Sequence, residues 1–84
     1  MNDLEFEVLD ELYFVVSFSQ LQEATGIEQS ALKECLQQLL EKKWVKCMAS
    51  IDDELEESEV DMNAHFQQYY YLATKKGLMA HNTL

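Results

Sequence analysis

The stretch Ser19-Gln20-Leu21-Gln22-Glu23-Ala24-Thr25-Gly26-Ile27-Glu28-Gln29-Ser30-Ala31-Leu32 decides the fold. Its first half reads as a short helix. Ser19, followed three residues later by Gln22, spells a capping box. Leu21 and Ala24 are spaced to face inward. Gly26 stops the helix, because glycine adopts the left-handed cap conformation at no steric cost. The second half opens a longer helix, expected over Gln29 to Lys43. Leu32, Cys35, Leu36, Leu39 and Leu40 recur at i, i+3, i+4, i+7 and i+8, which is an amphipathic signal. The opposite face carries Gln29, Ser30, Lys33, Glu34, Gln37, Gln38 and Glu41.

Working outward, a helix is expected upstream from Asp3 to Tyr13, with Asn2 as its cap and Glu5 completing a variant capping box. Leu4, Val8 and Leu12 form one apolar stripe and Phe6, Leu9 and Tyr13 a second, more than a one-sided helix requires. Two readings of the second stripe stay open: contact with a partner subunit, or burial between the helical and β parts of one domain. Val15-Val16-Ser17-Phe18 suits a small strand. Downstream, Val45, Cys47, Ala49 and Ile51 alternate with Lys46, Met48 and Ser50, the period of a half-buried strand. Asp52 to Asp61 carries seven acids and no base and reads as a mobile, solvated loop of about residues 52–65. Phe66 to Ala73 returns as a second strand, and Thr74 caps a last helical turn, Lys75 to Ala80. With Leu72 facing inward, Tyr70 follows it, and Tyr69 and Tyr71 point outward beside Met48. The expected core is Leu12, Leu21, Ile27, Leu32, Leu36, Leu39, Val45 and Leu72.

This order of elements resembles a winged helix. Ser19 to Leu32 is similar to the helix-turn-helix of MarR- and PadR-type bacterial transcription regulators. Leu36-Gln37-Gln38-Leu39-Leu40-Glu41-Lys42-Lys43-Trp44-Val45 looks like the end of their recognition helix running into the wing. Tyr71-Leu72-Ala73-Thr74-Lys75-Lys76-Gly77-Leu78 resembles the segment that closes that wing, with Ala73 inserted between Leu72 and Thr74. The family usually has glycine where Lys43 stands. The resemblance implies an α+β fold over 1–84 as a single domain: a three-helix helix-turn-helix core with a two- to three-stranded antiparallel β-wing. It also implies a DNA-reading surface at Gln29, Ser30, Lys33, Glu34 and Gln37.

Charge argues against that use. Sixteen Asp and Glu face six Lys and no Arg, for a net charge of −10. Nucleic-acid binders need a basic face, since phosphate contacts supply most non-specific affinity. Here Glu28 and Glu34 flank the reading surface, and the tip of the wing is the seven-acid run. The expected function is therefore contact with protein: a copy of the chain, as a homodimer, or a basic partner. Phe6, Leu9, Tyr13, Tyr69 and Tyr71 are the candidate interface. A dimeric DNA-binding regulator is the alternative, and an acidic DNA mimic a third reading.

No nucleophile, base and orienting group fall together, so no enzyme activity and no cofactor is expected. The acidic run lacks the glycine and ligand spacing of a calcium loop, and His65 and His81 lack zinc-spaced partners, so both read as surface residues. Cys35 and Cys47 sit in apolar patterns and read as buried thiols. An acidic start and the lack of a long apolar run point to a cytoplasmic chain outside the membrane.

Overall fold

The computed structural model describes residues 1–83; residue 84, the last of the expected domain, lies outside the described residues. It is an α+β fold with a four-stranded antiparallel sheet. In chain order the elements are α1 (Asp3–Asp10), β1 (Val16–Ser17), α2 (Phe18–Thr25), α3 (Gln29–Glu41), β2 (Val45–Ser50), β3 (Asp53–Glu54), a 3-10 turn (Glu57–Glu59), α4 (Met62–His65), β4 (Tyr70–Ala73) and α5 (Lys75–Asn82). The sheet order is β1-β4-β2-β3.

Local chemistry fixes most boundaries. Asn2 and Glu5 make the capping box of α1. That helix ends at Asp10, not at Tyr13, because the chain must turn toward the sheet, where the Leu12 carbonyl accepts the Ala73 N–H at 2.9 Å. Two capping boxes overlap in Ser17-Phe18-Ser19-Gln20-Leu21-Gln22, and the first one forms. The Ser17 hydroxyl accepts the Gln20 N–H and the Gln20 side chain accepts the Ser17 N–H. Starting α2 one residue after Ser17 brings Phe18 and Leu21 onto one turn, and both are buried. Ala24, expected inward, is exposed. Gly26 closes α2 at φ 70°.

α3 ends at Glu41, two residues early, since Lys43 turns the chain into β2 at φ 65°. β2 is shorter than expected. A register shift between Met48 and Ser50 breaks the alternation, and Ala49 and Ile51 are exposed instead of inward. Residues 52–65 are not a bare loop: β3, the 3-10 turn and α4 all lie there, with Met62 buried and Leu55 and Val60 half-buried.

The core joins Val8, Leu9 and Leu12 of α1, Phe18 and Leu21 of α2, Leu32, Cys35, Leu36 and Leu39 of α3, and one face of the sheet. β2 and β4 pair as Val45 with Ala73, Lys46 with Leu72, Cys47 with Tyr71 and Met48 with Tyr70. Val45 and Cys47 face inward as expected, so their partners Ala73 and Tyr71 do too. The expected phase of β4 is thereby inverted: Leu72 and Tyr70 lie on the other face and are half-buried. No helix among the described residues is long and apolar enough to cross a membrane.

Candidate functional site

The face of α3 opposite the core carries the five residues expected to read a ligand. Gln29, Ser30 and Glu34 are exposed, and Lys33 and Gln37 are half-buried. Glu28 caps the helix: its carboxylate accepts the Ser30 N–H at 3.2 Å and the Ser30 hydroxyl at 2.6 Å. Those two Ser30 bonds hold the Glu28 carboxyl below the usual carboxylate range, so a fixed negative charge sits at the start of α3. A helix start with free N–H groups attracts phosphate. This one is already supplied with an anion.

The lysines near this face are engaged. Lys42 donates to the buried Glu5 carboxylate at 2.5 Å and lies over the Trp44 ring, 4.8 Å from its centroid. Lys43 pairs with Glu57. Lys46 pairs with Glu54 at 2.9 Å. The Lys33 ammonium sits 5.0 Å from the centroid of Phe66. Three of these four cations are thus matched by acids of the same chain.

The five expected interface residues fall into two groups, one buried and one exposed. Leu9 and Tyr71 are fully buried and Tyr69 nearly so. The Tyr71 hydroxyl donates to the Phe66 carbonyl at 2.6 Å, and burial pushes its pKa well above the ordinary phenol range, so it stays protonated. The Tyr69 hydroxyl accepts the Asp61 N–H at 2.8 Å. These two tyrosines point inward because β4 has the opposite phase to that expected, and they pin the acidic segment to the core. Phe6 and Tyr13 remain exposed, with α5 packed against α1 beside them. His81 stacks on Phe6 with ring centroids 4.3 Å apart, and its Nδ1 lies 2.9 Å from the Tyr13 hydroxyl. His81 is therefore buried, contrary to its reading as a surface residue, while His65 is exposed. The reason is that α5 runs on to Asn82, past the expected end at Ala80, and lies against α1.

Both cysteines are free and buried, and burial pushes the thiol of Cys35 up to about 11 and that of Cys47 to about 12. Neither is a thiolate at neutral pH, so neither is a ready nucleophile. Among the described residues, no group of three or more His, Cys, Asp or Glu is arranged to hold a metal ion.

An open groove of about 970 Å³ lies between α3, β2 and the acidic segment. Leu40, Val45, Cys47, Leu55, Val60 and Met62 supply its apolar lining, and Glu41, Glu54, Glu56, Glu57 and Asp61 its acids. Of the expected reading surface, only Gln37 reaches it. The groove went unread in the sequence. Its one signal is that Leu55 and Val60 interrupt the acidic run and Met62 follows it, at positions a purely solvated loop does not need.

Compared with protein-family profiles, with curated proteins and with solved structures, the chain matches none.

Proposed function

We propose that the chain is a winged-helix-type module that works by contact with a basic protein partner and not by gripping duplex DNA. The winged-helix reading is supported by the order α1-β1-α2-α3-β2-β4, with β4 paired to both β1 and β2. The last part of the arm between β2 and β4 corresponds to nothing in a simple hairpin, since it holds a 3-10 turn and α4.

One observation carries the functional reading: the pairing of Lys42, Lys43 and Lys46 with Glu5, Glu57 and Glu54. A duplex binder spends such cations on phosphates, and its affinity falls steeply with salt as a result. Opening the two exposed pairs costs little, but each carboxylate left behind would face the phosphates and offset the cation it released. The Glu28 carboxylate at the start of α3 adds to the same repulsion. A homodimer through Phe6, Leu9 and Tyr13 is the second reading: Leu9 is buried and drops out, while Phe6 and Tyr13 stay exposed. A partner of opposite charge remains the better fit to a net charge of −10.

A titration of labelled random duplex, followed by fluorescence anisotropy at low and at physiological salt, tests this. The expected result at physiological salt is binding weaker than the roughly 10⁻⁴–10⁻⁶ M of ordinary non-specific binders. Micromolar binding that weakens with salt, and is lost in Lys33→Glu, would restore the DNA-binding regulator.

A further inference from the structure

The groove described above has a floor and a rim of different chemistry. Its apolar floor is partly open, with Leu40, Leu55 and Val60 only half-buried. Its rim is acidic, and two rim acids already hold ammonium groups: Glu57 that of Lys43 and Glu54 that of Lys46. These lysines mark where a cation sits along the groove. Both pairs are largely exposed, with side-chain exposures of 61% and 74% for the first and 35% and 57% for the second. Exposed pairs of this kind contribute at most about 1 kcal/mol and break readily. Glu41 and Glu56, on the same rim, are exposed and make no ion pair among the described residues. At about 970 Å³ the groove has room for several side chains.

We propose that this groove receives a short extended segment of a partner protein in which Arg or Lys alternates with apolar residues. The apolar side chains cover Leu40, Leu55 and Val60. The cationic ones meet Glu41 and Glu56 and compete with Lys43 and Lys46 for Glu57 and Glu54. Arginine suits the rim better than lysine, because its fork grips a carboxylate with two parallel bonds. The inference rests on the protein-contact reading and gives it a site and a partner chemistry.

The test is an amide-shift NMR titration of the labelled full chain at physiological salt. Three synthetic nine-residue peptides serve as probes: alternating Arg and Leu, alternating Arg and Ser, and alternating Glu and Leu. Expected is saturable binding of the Arg-Leu peptide alone, with shifts at Leu40, Lys46, Leu55 and Met62. The double variant Glu41→Gln, Glu56→Gln, checked for an unchanged fold by its own spectrum, should bind about fivefold more weakly, as loss of up to 1 kcal/mol requires. Lys46→Met, which frees Glu54, should bind more tightly. Equal binding of the Arg-Ser peptide would overturn the groove, since charge alone would then suffice. So would shifts confined to another surface, or no binding at all, while the protein-contact reading would stand. Shifts at Gln29, Ser30 and Lys33 in a parallel titration with random duplex would overturn that reading itself.

Discussion

Lys43 turns α3 into β2 with φ at 65°, a conformation in which a side chain crowds its own backbone. Glycine adopts it without that penalty. Lys43 does bind Glu57, but that pair is exposed and weak. Lys43→Gly is therefore expected to raise unfolding stability in urea by about 0.5–1 kcal/mol, the scale of left-handed strain less a surface pair. Gly77 shows the opposite case. It lies in a helix, where alanine normally stabilises by up to about 1 kcal/mol. A Cβ there would press on the Trp44 carbonyl, with the carbonyl carbon only 2.9 Å away, and backbone cannot step aside. Gly77→Ala should destabilise by about 1–3 kcal/mol, the usual cost of overpacking. If urea melts moved the other way, the docking of α5 against the start of β2 would be misplaced. The close approach behind this glycine depends on Trp44, 33 positions away, and no local pattern in the sequence encodes it.

At the scale of elements, α1 and α3 are tied by the Glu5 carboxylate. Burial alone would raise its pKa, but hydrogen bonds from Lys42 and from the Asn2 N–H, with the charges of Lys42 and the N-terminus, hold it below its ordinary 4.5. A carboxyl lowered in the folded state adds stability above its unfolded value, and this is lost as pH falls through the folded value. Glu5→Gln should accordingly be less stable than the parent at pH 7, by about 1–2 kcal/mol for lost charged hydrogen bonds. The gap should close as pH drops below 4.5, which chemical denaturation at a series of pH values would register. A gap unchanged from pH 7 to pH 3 would mean that charge has no part in the tie. The elements themselves were largely legible. The i, i+3, i+4 stripe of α3 places Leu32, Leu36 and Leu39 at full burial, as read. β4 was not legible in phase, because Tyr69-Tyr70-Tyr71-Leu72-Ala73 is apolar throughout and offers no alternation. Only its pairing with Val45 and Cys47 settles which side faces in. Ser17 and Ser19 spell the same cap two residues apart, and burial of Phe18 chooses between them.

Over the whole molecule, the charge balance could be read from the sequence but its placement could not. The surplus of acid was plain, and so was the lack of Arg. What could not be read was where the few lysines go, since Lys42 meets an acid 37 positions away and Lys43 one 14 positions away. Nor was the groove legible, because it exists only once Tyr69 and Met62 anchor the acidic segment beside α3 and β2. The resulting surface carries Gln29 exposed on the first turn of α3, with an anion fixed next to it. Random duplex does not probe sequence-specific reading by such a residue. The most direct measurement is selection of the full chain against a randomised duplex pool at physiological salt, with sequencing over successive rounds. The expected result is no enriched motif, because specific base contacts still require phosphates to be held nearby. Enrichment of a defined motif, with binding lost in Gln29→Ala, would contradict the protein-contact reading and make this chain a DNA-binding regulator.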